Sequence, residues 1–160
     1  MARVFVGIGA NLGDAAANVR SAIDALAASP DVKLIGVSSL YRTAPVGYVR
    51  QPDFINAVAL VETRLSPRAL LAELHSIEAR FGRARSFEDA PRTLDLDLLL
   101  YDDLSIDEPG LRVPHPRLHE RAFALAPLVE IDPACVIPGL GPARTWLAHT
   151  TDQRIERLQP

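Results

Sequence analysis

The clearest alternation of hydrophobic and polar residues in this chain covers residues 90–101, which read APRTLDLDLLLY. With a period of two, the leucines at positions 94, 96, 98 and 100 fall on one side, and Thr93, Asp95 and Asp97 fall on the other. Such alternation is typical of a β-strand with one buried face. We therefore predict a strand that carries two neighbouring carboxylates on its polar face.

Other patterns predict further strands and helices. β-Branched and aromatic residues predict strands at 4–8, 32–41 and 54–63. Apolar residues at helical spacing predict one helix that ends near Ser29 and Pro30. A second helix is predicted to begin at Ser66 and Pro67 and to end at Gly82. Residues 102–110 are predicted to form an acidic loop.

The predicted order strand, helix, strand, strand, helix, strand is that of a ferredoxin-like α+β sandwich. We expect a mainly antiparallel sheet with helices on one face and the other face free. A weak helical pattern near Trp146 predicts additional C-terminal helices. At 160 residues the chain is expected to form a single domain that spans residues 1–160.

The composition narrows the class of protein. Hydrophobic residues make up 48% and charged residues 23%, with neither a long apolar run nor a charged-then-apolar leader. We therefore expect a cytoplasmic protein with no membrane partner. The net charge of -3 gives no general attraction to nucleic acid, so no nucleic-acid partner is expected. The single cysteine, Cys135, excludes an intramolecular disulfide and a cysteine-rich zinc site.

Glycine-rich nucleotide motifs do not fit this chain. Gly7, Gly9 and Gly13 resemble a dinucleotide-binding pattern, but the third glycine comes one residue too late. A tight turn after residue 8, with Asp14 as a helix cap, explains this segment without a ligand. Lys33 is the only lysine and lies outside any glycine-rich loop, which excludes a P-loop.

Asp95 and Asp97 are the strongest candidates for metal binding. Two carboxylates separated by one residue on a strand lie about 7 Å apart and repel each other unless a cation or a proton is present. Mg²⁺ accepts one or two protein carboxylates and fills its other positions with water and phosphate oxygens. A solvated face of an amphipathic strand would give the same pattern, so the residues around the strand must decide.

Other polar groups also indicate a ligand. Asn56 shares a strand face with Phe54, and an amide beside an aromatic ring suits a planar heterocycle, although a lone strand Asn is often an edge residue. Residues 42–48 form either an ordinary connection or a loop whose backbone groups contact a ligand. Glu78 reaches the buried face of its helix and must have a partner there. His115 is fixed between two prolines.

Several motifs together resemble one known family. PRTLDLD at 91–97, with YRT at 41–43, QPDFINA at 51–57 and VPH at 113–115, closely resembles the 6-hydroxymethyl-7,8-dihydropterin pyrophosphokinases of folate biosynthesis. The similarity runs in order from residue 7 to residue 133. It implies Mg²⁺-dependent transfer of pyrophosphate from ATP to the hydroxymethyl group of the reduced pterin, giving AMP, with two Mg²⁺ bound.

The resemblance also implies roles for individual residues. As metal ligands and catalytic residues it implies Asp95 and Asp97, with Arg83 and Arg92 as further catalytic residues. For the nucleotide and its phosphates it implies Glu78, Arg83, Arg85, Arg92, Leu98, His115 and Arg121. For the pterin it implies Thr43, Val46, Phe54, Asn56, Asp95 and Phe123. A monomer with ATP and the reduced pterin as its partners is expected.

The chain departs from the family pattern at two places. Some members carry a tryptophan in the loop before Pro91, whereas residues 86–90 contain none and Phe87 is the only aromatic residue there. Some members have an aromatic residue after the histidine, where this chain has Pro116. Two other functions also stay open: a magnesium-dependent phosphohydrolase that uses the same carboxylates, and a non-catalytic ferredoxin-like domain that senses a small ligand or binds RNA.

Overall fold

The computed structural model describes residues 1–45, 50–81 and 94–158. The helices of this part are α1 Ala15–Ala28, α2 Pro67–Arg80, α3 Ala122–Ile131 and α4 Ala143–Leu147. The strands are β1 Ala2–Ala10, β2 Val32–Val37, β3 Tyr41–Thr43, β4 Phe54–Thr63, β5 Asp95–Tyr101, β6 Ile106–Glu108, β7 Leu111–Val113, β8 Val136–Ile137, β9 Gly141–Pro142 and β10 Ile155–Arg157. No helix among these residues is long and apolar enough to cross a membrane.

The main sheet is antiparallel, and its long inner strands are β1 and β4. One side of β4 pairs with β1, and its other side pairs with both β2 and β3. β5 pairs with the free side of β1, and β10 extends the sheet beyond β3. With β2 and β3 in one strand position, the order is that of a ferredoxin-like sheet. The predicted α+β fold is therefore confirmed.

The prediction of one strand over residues 32–41 is wrong, because the strand is interrupted between Val37 and Tyr41. Ser38 stays against β4: its hydroxyl accepts a hydrogen bond from the Val58 N–H at 2.9 Å. The next N–H, that of Ser39, donates to the carboxylate of Glu130 at 2.9 Å instead of joining the sheet. Two serines thus break the strand because their polar groups offer the backbone other partners.

The expectation of one free sheet face is also wrong in part. α1 and α2 cover one face, where they pack on residues such as Val4, Val6 and Val61. On the other face Phe5, Val58 and Leu60 are buried against α3. These apolar side chains need a cover, and the C-terminal helices supply it. The end of this face that carries Gly7 and Gly9 borders a cavity.

Two local predictions in the acidic region need correction. The register between β1 and β5 shifts between Phe5 and Val6, which leaves one extra residue in β5. This bulge sends Leu100 to the face covered by α3, so it does not share a side with Leu94 as predicted. Residues 102–110 are not all loop, because Ile106–Glu108 pairs with Leu111–Val113.

The predicted caps are confirmed: Asp14 and Ser66 each accept an N–H at 3.1 Å.

A half-buried carboxylate connects α3 to the interrupted strand. Glu130 of α3 accepts hydrogen bonds from the Tyr41 hydroxyl at 2.6 Å and the Ser39 hydroxyl at 2.9 Å, and it pairs with Arg157 at 3.2 Å. Burial raises the pKa of Glu130, but the hydrogen bonds from Tyr41 and Ser39 and the charge of Arg157 outweigh it, so the net pKa lies below its ordinary value. Burial and the neighbouring carboxylate raise the pKa of Tyr41.

We expect Glu130→Gln to lower the free energy of unfolding by about 1–3 kcal/mol at pH 7, because a charged acceptor of several hydrogen bonds is lost. The pKa of Glu130 is lower in the folded protein than its ordinary value of 4.5. The charged carboxylate therefore stabilises the fold above pH 4.5, and this stabilisation is lost as the pH falls through the folded-state pKa. Urea denaturation at pH 7 and at low pH measures both effects. Glu156→Gln, which removes an exposed ion pair with Arg42, is the control. Equal stability of the two variants at pH 7 would contradict the assignment.

Candidate active site

Two cavities meet at β5. The first, which we call the sheet cavity, has a volume of about 310 Å³ and lies on the sheet face that α3 partly covers. The second, the α2 cavity, has a volume of about 420 Å³ and lies between α2, β5 and β7. Asp95 and Asp97 line both cavities. The two carboxylates predicted as metal ligands therefore stand where the cavities join.

Glycines open the space beside these carboxylates. Gly9 of β1 pairs with Asp95 of β5, and Gly7 pairs with Asp97. Both glycines line the sheet cavity and leave room above β1 because they have no side chains. The prediction of a turn at Gly9 was wrong, since β1 continues to Ala10. Glycine inside a strand was the available signal for a close approach of a ligand.

Asn56 lies across β1 from the aspartates. It pairs with Gly9 in the β1–β4 ladder and is buried, with 6% of its surface exposed. Its Nδ2 donates a hydrogen bond to Oγ1 of Thr43 at 2.8 Å. Phe54, which shares the strand face with Asn56 as predicted, and Phe123 also line the sheet cavity. The cavity thus combines two aromatic rings, an oriented amide and a pair of carboxylates.

His115 and Arg121 also line the sheet cavity, and His115 lines the α2 cavity as well. The backbone N–H of His115 donates to the Leu99 carbonyl at 2.9 Å. In the His115 ring, Nδ1 accepts a hydrogen bond from the backbone N–H of Arg117 at 3.1 Å. The neutral ring therefore carries its proton on Nε2. Burial and the charges of Arg121 and Arg117, against the opposing effect of Asp95, lower the pKa of His115 to about 4. At neutral pH His115 is an uncharged hydrogen-bond donor.

The guanidinium of Arg121 lies over the ring of Phe123, 5.3 Å from its centroid. A cation on an aromatic face is attracted by the ring quadrupole. Arg117 lines the same cavity and forms an ion pair with Glu120 at 3.6 Å. Arg117 and Arg121 therefore border the same cavity.

Glu78 belongs to the α2 cavity, together with Leu98. It is 2% exposed, and its Oε2 accepts the Leu96 N–H at 2.8 Å. This contact confirms that the buried carboxylate has a partner. It also holds β5 at the residue between Asp95 and Asp97, so Glu78 fixes the strand that presents them.

The donor set suits magnesium better than a metal held by protein alone. Within residues 1–45, 50–81 and 94–158, no group of three or more His, Cys, Asp and Glu residues is placed to hold a metal. Two half-buried carboxylates are enough for Mg²⁺, which takes its remaining ligands from water and phosphates.

Some predicted residues cannot be placed, and some lining residues were not predicted. Val46, Arg83, Arg85 and Arg92 lie outside the described residues, as does Phe87. The sequence reasoning missed Gly7, Gly9, Glu120 and Gln153 in the sheet cavity, and Leu71, His75 and Arg112 in the α2 cavity. Apart from the two strand glycines, these residues carried no pattern that could have singled them out.

The chain is similar in sequence to known proteins. The sequence pattern of the 7,8-dihydro-6-hydroxymethylpterin-pyrophosphokinase (HPPK) family matches residues 5–133. The chain belongs to this family. Two HPPK relatives, named 2-amino-4-hydroxy-6-hydroxymethyldihydropteridine pyrophosphokinase, are each 40% identical to it. The Pseudomonas aeruginosa protein aligns over 98% of this chain and 96% of its own length, and the Methylorubrum extorquens protein over 99% and 100%.

Solved HPPK structures share the fold. A crystal structure of HPPK-DHPS in complex with substrates superimposes with a TM-score of 0.76 at 13% identity. A wild-type Plasmodium falciparum HPPK-DHPS with pteroate gives 0.75 at 14% identity. Each match covers 94% of this chain, which spans 43% of the first protein and 42% of the second. The similarity in fold is therefore to one part of larger proteins.

We expect Gly9→Ala to destabilise the site, whereas Gly7→Ala is the matched control in the same strand. An added Cβ at Gly9 would lie 2.8 Å from Oδ1 of Asn56, whose amide is held by its hydrogen bond to Thr43. An added Cβ at Gly7 would lie 3.4 Å from its nearest neighbour, a side-chain carbon of Leu99, which is an ordinary contact distance. Gly9→Ala should be less stable than Gly7→Ala by about 1–3 kcal/mol in urea denaturation. Equal stabilities would show that Asn56 is free to move.

Proposed function

We propose that this HPPK transfers the pyrophosphoryl group of ATP to the hydroxymethyl oxygen of 6-hydroxymethyl-7,8-dihydropterin and releases AMP. The observation that carries the proposal is the position of Asp95 and Asp97, which border both cavities. A reaction between two substrates needs their reacting groups side by side. The junction of the cavities is the place where a hydroxymethyl group and a triphosphate would meet.

The sheet cavity is proposed to bind the pterin. A flat bicyclic ring would lie between the rings of Phe54 and Phe123, which line the cavity. Asn56, oriented by its hydrogen bond to Thr43, would match the polar edge of the ring. The resemblance of the sequence implies that the backbones of Thr43 and Val46 would also contact the pterin. The pterin would then direct its hydroxymethyl group toward Asp95.

The α2 cavity is proposed to bind the nucleotide, with Glu78 and Leu98 in its wall. The triphosphate would extend to Asp95 and Asp97, the proposed ligands of two Mg²⁺. Bound Mg²⁺ would offset the charge of the phosphates and orient them. Arg121 and the uncharged donor His115 would contact phosphate oxygens. The resemblance of the sequence implies the same role for Arg83, Arg85 and Arg92.

In the proposed reaction the hydroxymethyl oxygen attacks the β-phosphorus in line. The new bond joins this oxygen to the β-phosphorus, the bond between the β-phosphorus and the α,β-bridging oxygen breaks, and that oxygen leaves with AMP. The hydroxyl proton is released to solvent. Transfer of this kind depends on alignment and charge stabilisation more than on covalent help from the protein. Arg121, which lies over the ring of Phe123, and His115, which is held by backbone hydrogen bonds, fit that requirement.

A coupled AMP assay with ATP, Mg²⁺ and the reduced hydroxymethylpterin tests the proposal. We expect AMP to form only when the pterin is present, with one pterin diphosphate for each AMP. Omission of Mg²⁺ should abolish turnover. AMP formation without pterin would indicate a phosphohydrolase instead, and saturable nucleotide binding with no AMP would indicate a binding domain.

We expect Asp95→Asn and Asp97→Asn each to reduce AMP formation by about 100-fold or more, because each removes a charge from the proposed metal site. Asp103→Asn is the control, because it changes an exposed aspartate just beyond β5 and should keep full turnover. Thermal unfolding of all three variants checks that they stay folded. Retention of more than about one tenth of the activity by either site variant would contradict the metal assignment.

Three expectations from the sequence stay predictions: the single domain over residues 1–160, the cytoplasmic location and the monomeric state. ATP and the reduced pterin are the partners that the proposed reaction requires.

A further inference from the structure

The C-terminal segment contacts the proposed site although it lies beyond the residues that match the family pattern, 5–133. β10 pairs with β3, where Ile155 stands opposite Thr43. Two residues before β10, Gln153 lines the sheet cavity. A part of the chain without any assigned role therefore borders the proposed pterin site.

Gln153 uses both ends of its amide to hold the backbone on either side of Arg121. Its Nε2 donates to the Glu120 carbonyl at 2.6 Å, and its Oε1 accepts the Ala122 N–H at 2.8 Å. The backbone N–H of Gln153 donates to the Thr150 carbonyl at 2.9 Å. This hydrogen bond fixes the backbone from which the Gln153 side chain extends. Both hydrogen bonds of the amide thus converge on the single residue between them.

The Gln153 amide binds at the N-terminus of α3, which has no side-chain cap of its own. Arg121 occupies the N-cap position of α3 and makes no side-chain capping hydrogen bond. The first N–H groups of a helix have no partner inside the helix, and a side-chain acceptor normally supplies one. Gln153 supplies that acceptor from 31 residues away. The backbone angles that aim Arg121 therefore depend on a distant side chain.

We propose that Gln153 is a positioning residue that holds Arg121 in line with the transferring phosphates. The proposal rests on the proposed function, in which Arg121 contacts phosphate oxygens. Gln153 itself exchanges no proton and needs no contact with the nucleotide. Its effect reaches the reaction through the direction of one guanidinium, and small errors of placement near a reacting centre reduce turnover strongly.

The first test compares Gln153→Ala with Gln153→Glu and with the control Thr151→Ala, an exposed neighbour in the same turn. In the AMP assay we expect Gln153→Ala to lower kcat by about 10- to 100-fold with little change in KM for the pterin. Gln153→Glu keeps the acceptor for Ala122 but cannot donate to Glu120, so its loss should be intermediate. Thr151→Ala should match the wild type. Full activity of Gln153→Ala would overturn the proposal.

The second test is a double-mutant cycle with Arg121→Ala. If Gln153 acts through Arg121, Gln153→Ala should lower kcat by less than about twofold once Arg121 is absent. A loss of the same size in both backgrounds would mean a general structural role and would overturn the proposal, as would an unchanged kcat of Arg121→Ala. Absence of AMP formation by the wild type would instead reject the proposed function, which separates the two failures.

Discussion

The register between β1 and β5 is the constraint on which the candidate site depends. It places Gly9 and Gly7 opposite Asp95 and Asp97, so that open space adjoins two carboxylates. A slip by one residue would turn both aspartates into the apolar core beneath α1 and α2. An unpaired charge there would be costly, whereas the leucines on the other face of β5 favour burial. The packing that stabilises the sheet therefore also selects the face on which charged chemistry is possible.

The position of β5 at the end of the sheet explains why one pair of side chains can serve two cavities. Within the described residues β5 pairs with one strand only, β1, and its other side faces α2 and β7. Edge amides need partners, and the Leu96 N–H finds one in the carboxylate of Glu78. A central strand could not do this, because a second neighbour would occupy the space of the α2 cavity. The fold thus leaves room at this edge for the proposed site with two substrates.

Periodicity predicted the order of elements and the side on which Asp95, Asp97 and Asn56 lie, because burial of one strand face sets both. It failed where backbone groups have other partners: the break after Val37 and the bulge near Leu99 follow from hydrogen bonds and register, which have no simple repeat. The cover of the second sheet face was also missed, since a weakly amphipathic helix such as α3 gives little signal. The sequence motifs supplied the expected roles of the site residues. That Gln153 lines the sheet cavity follows only from the three-dimensional contacts.

Polar side chains hold α3 at both of its ends, and this arrangement bears on how the cavity wall is held. At its C-terminal end Glu130 binds Ser39 and Tyr41, and at its N-terminal end Ala122 is bound by Gln153. Apolar packing alone would allow the helix to slide over the sheet, because dispersion contacts have little directional preference. Hydrogen bonds at both ends restrict sliding, since each has a narrow range of distance and angle. The wall that carries Phe123 thereby keeps its distance from Asn56 and the aspartates.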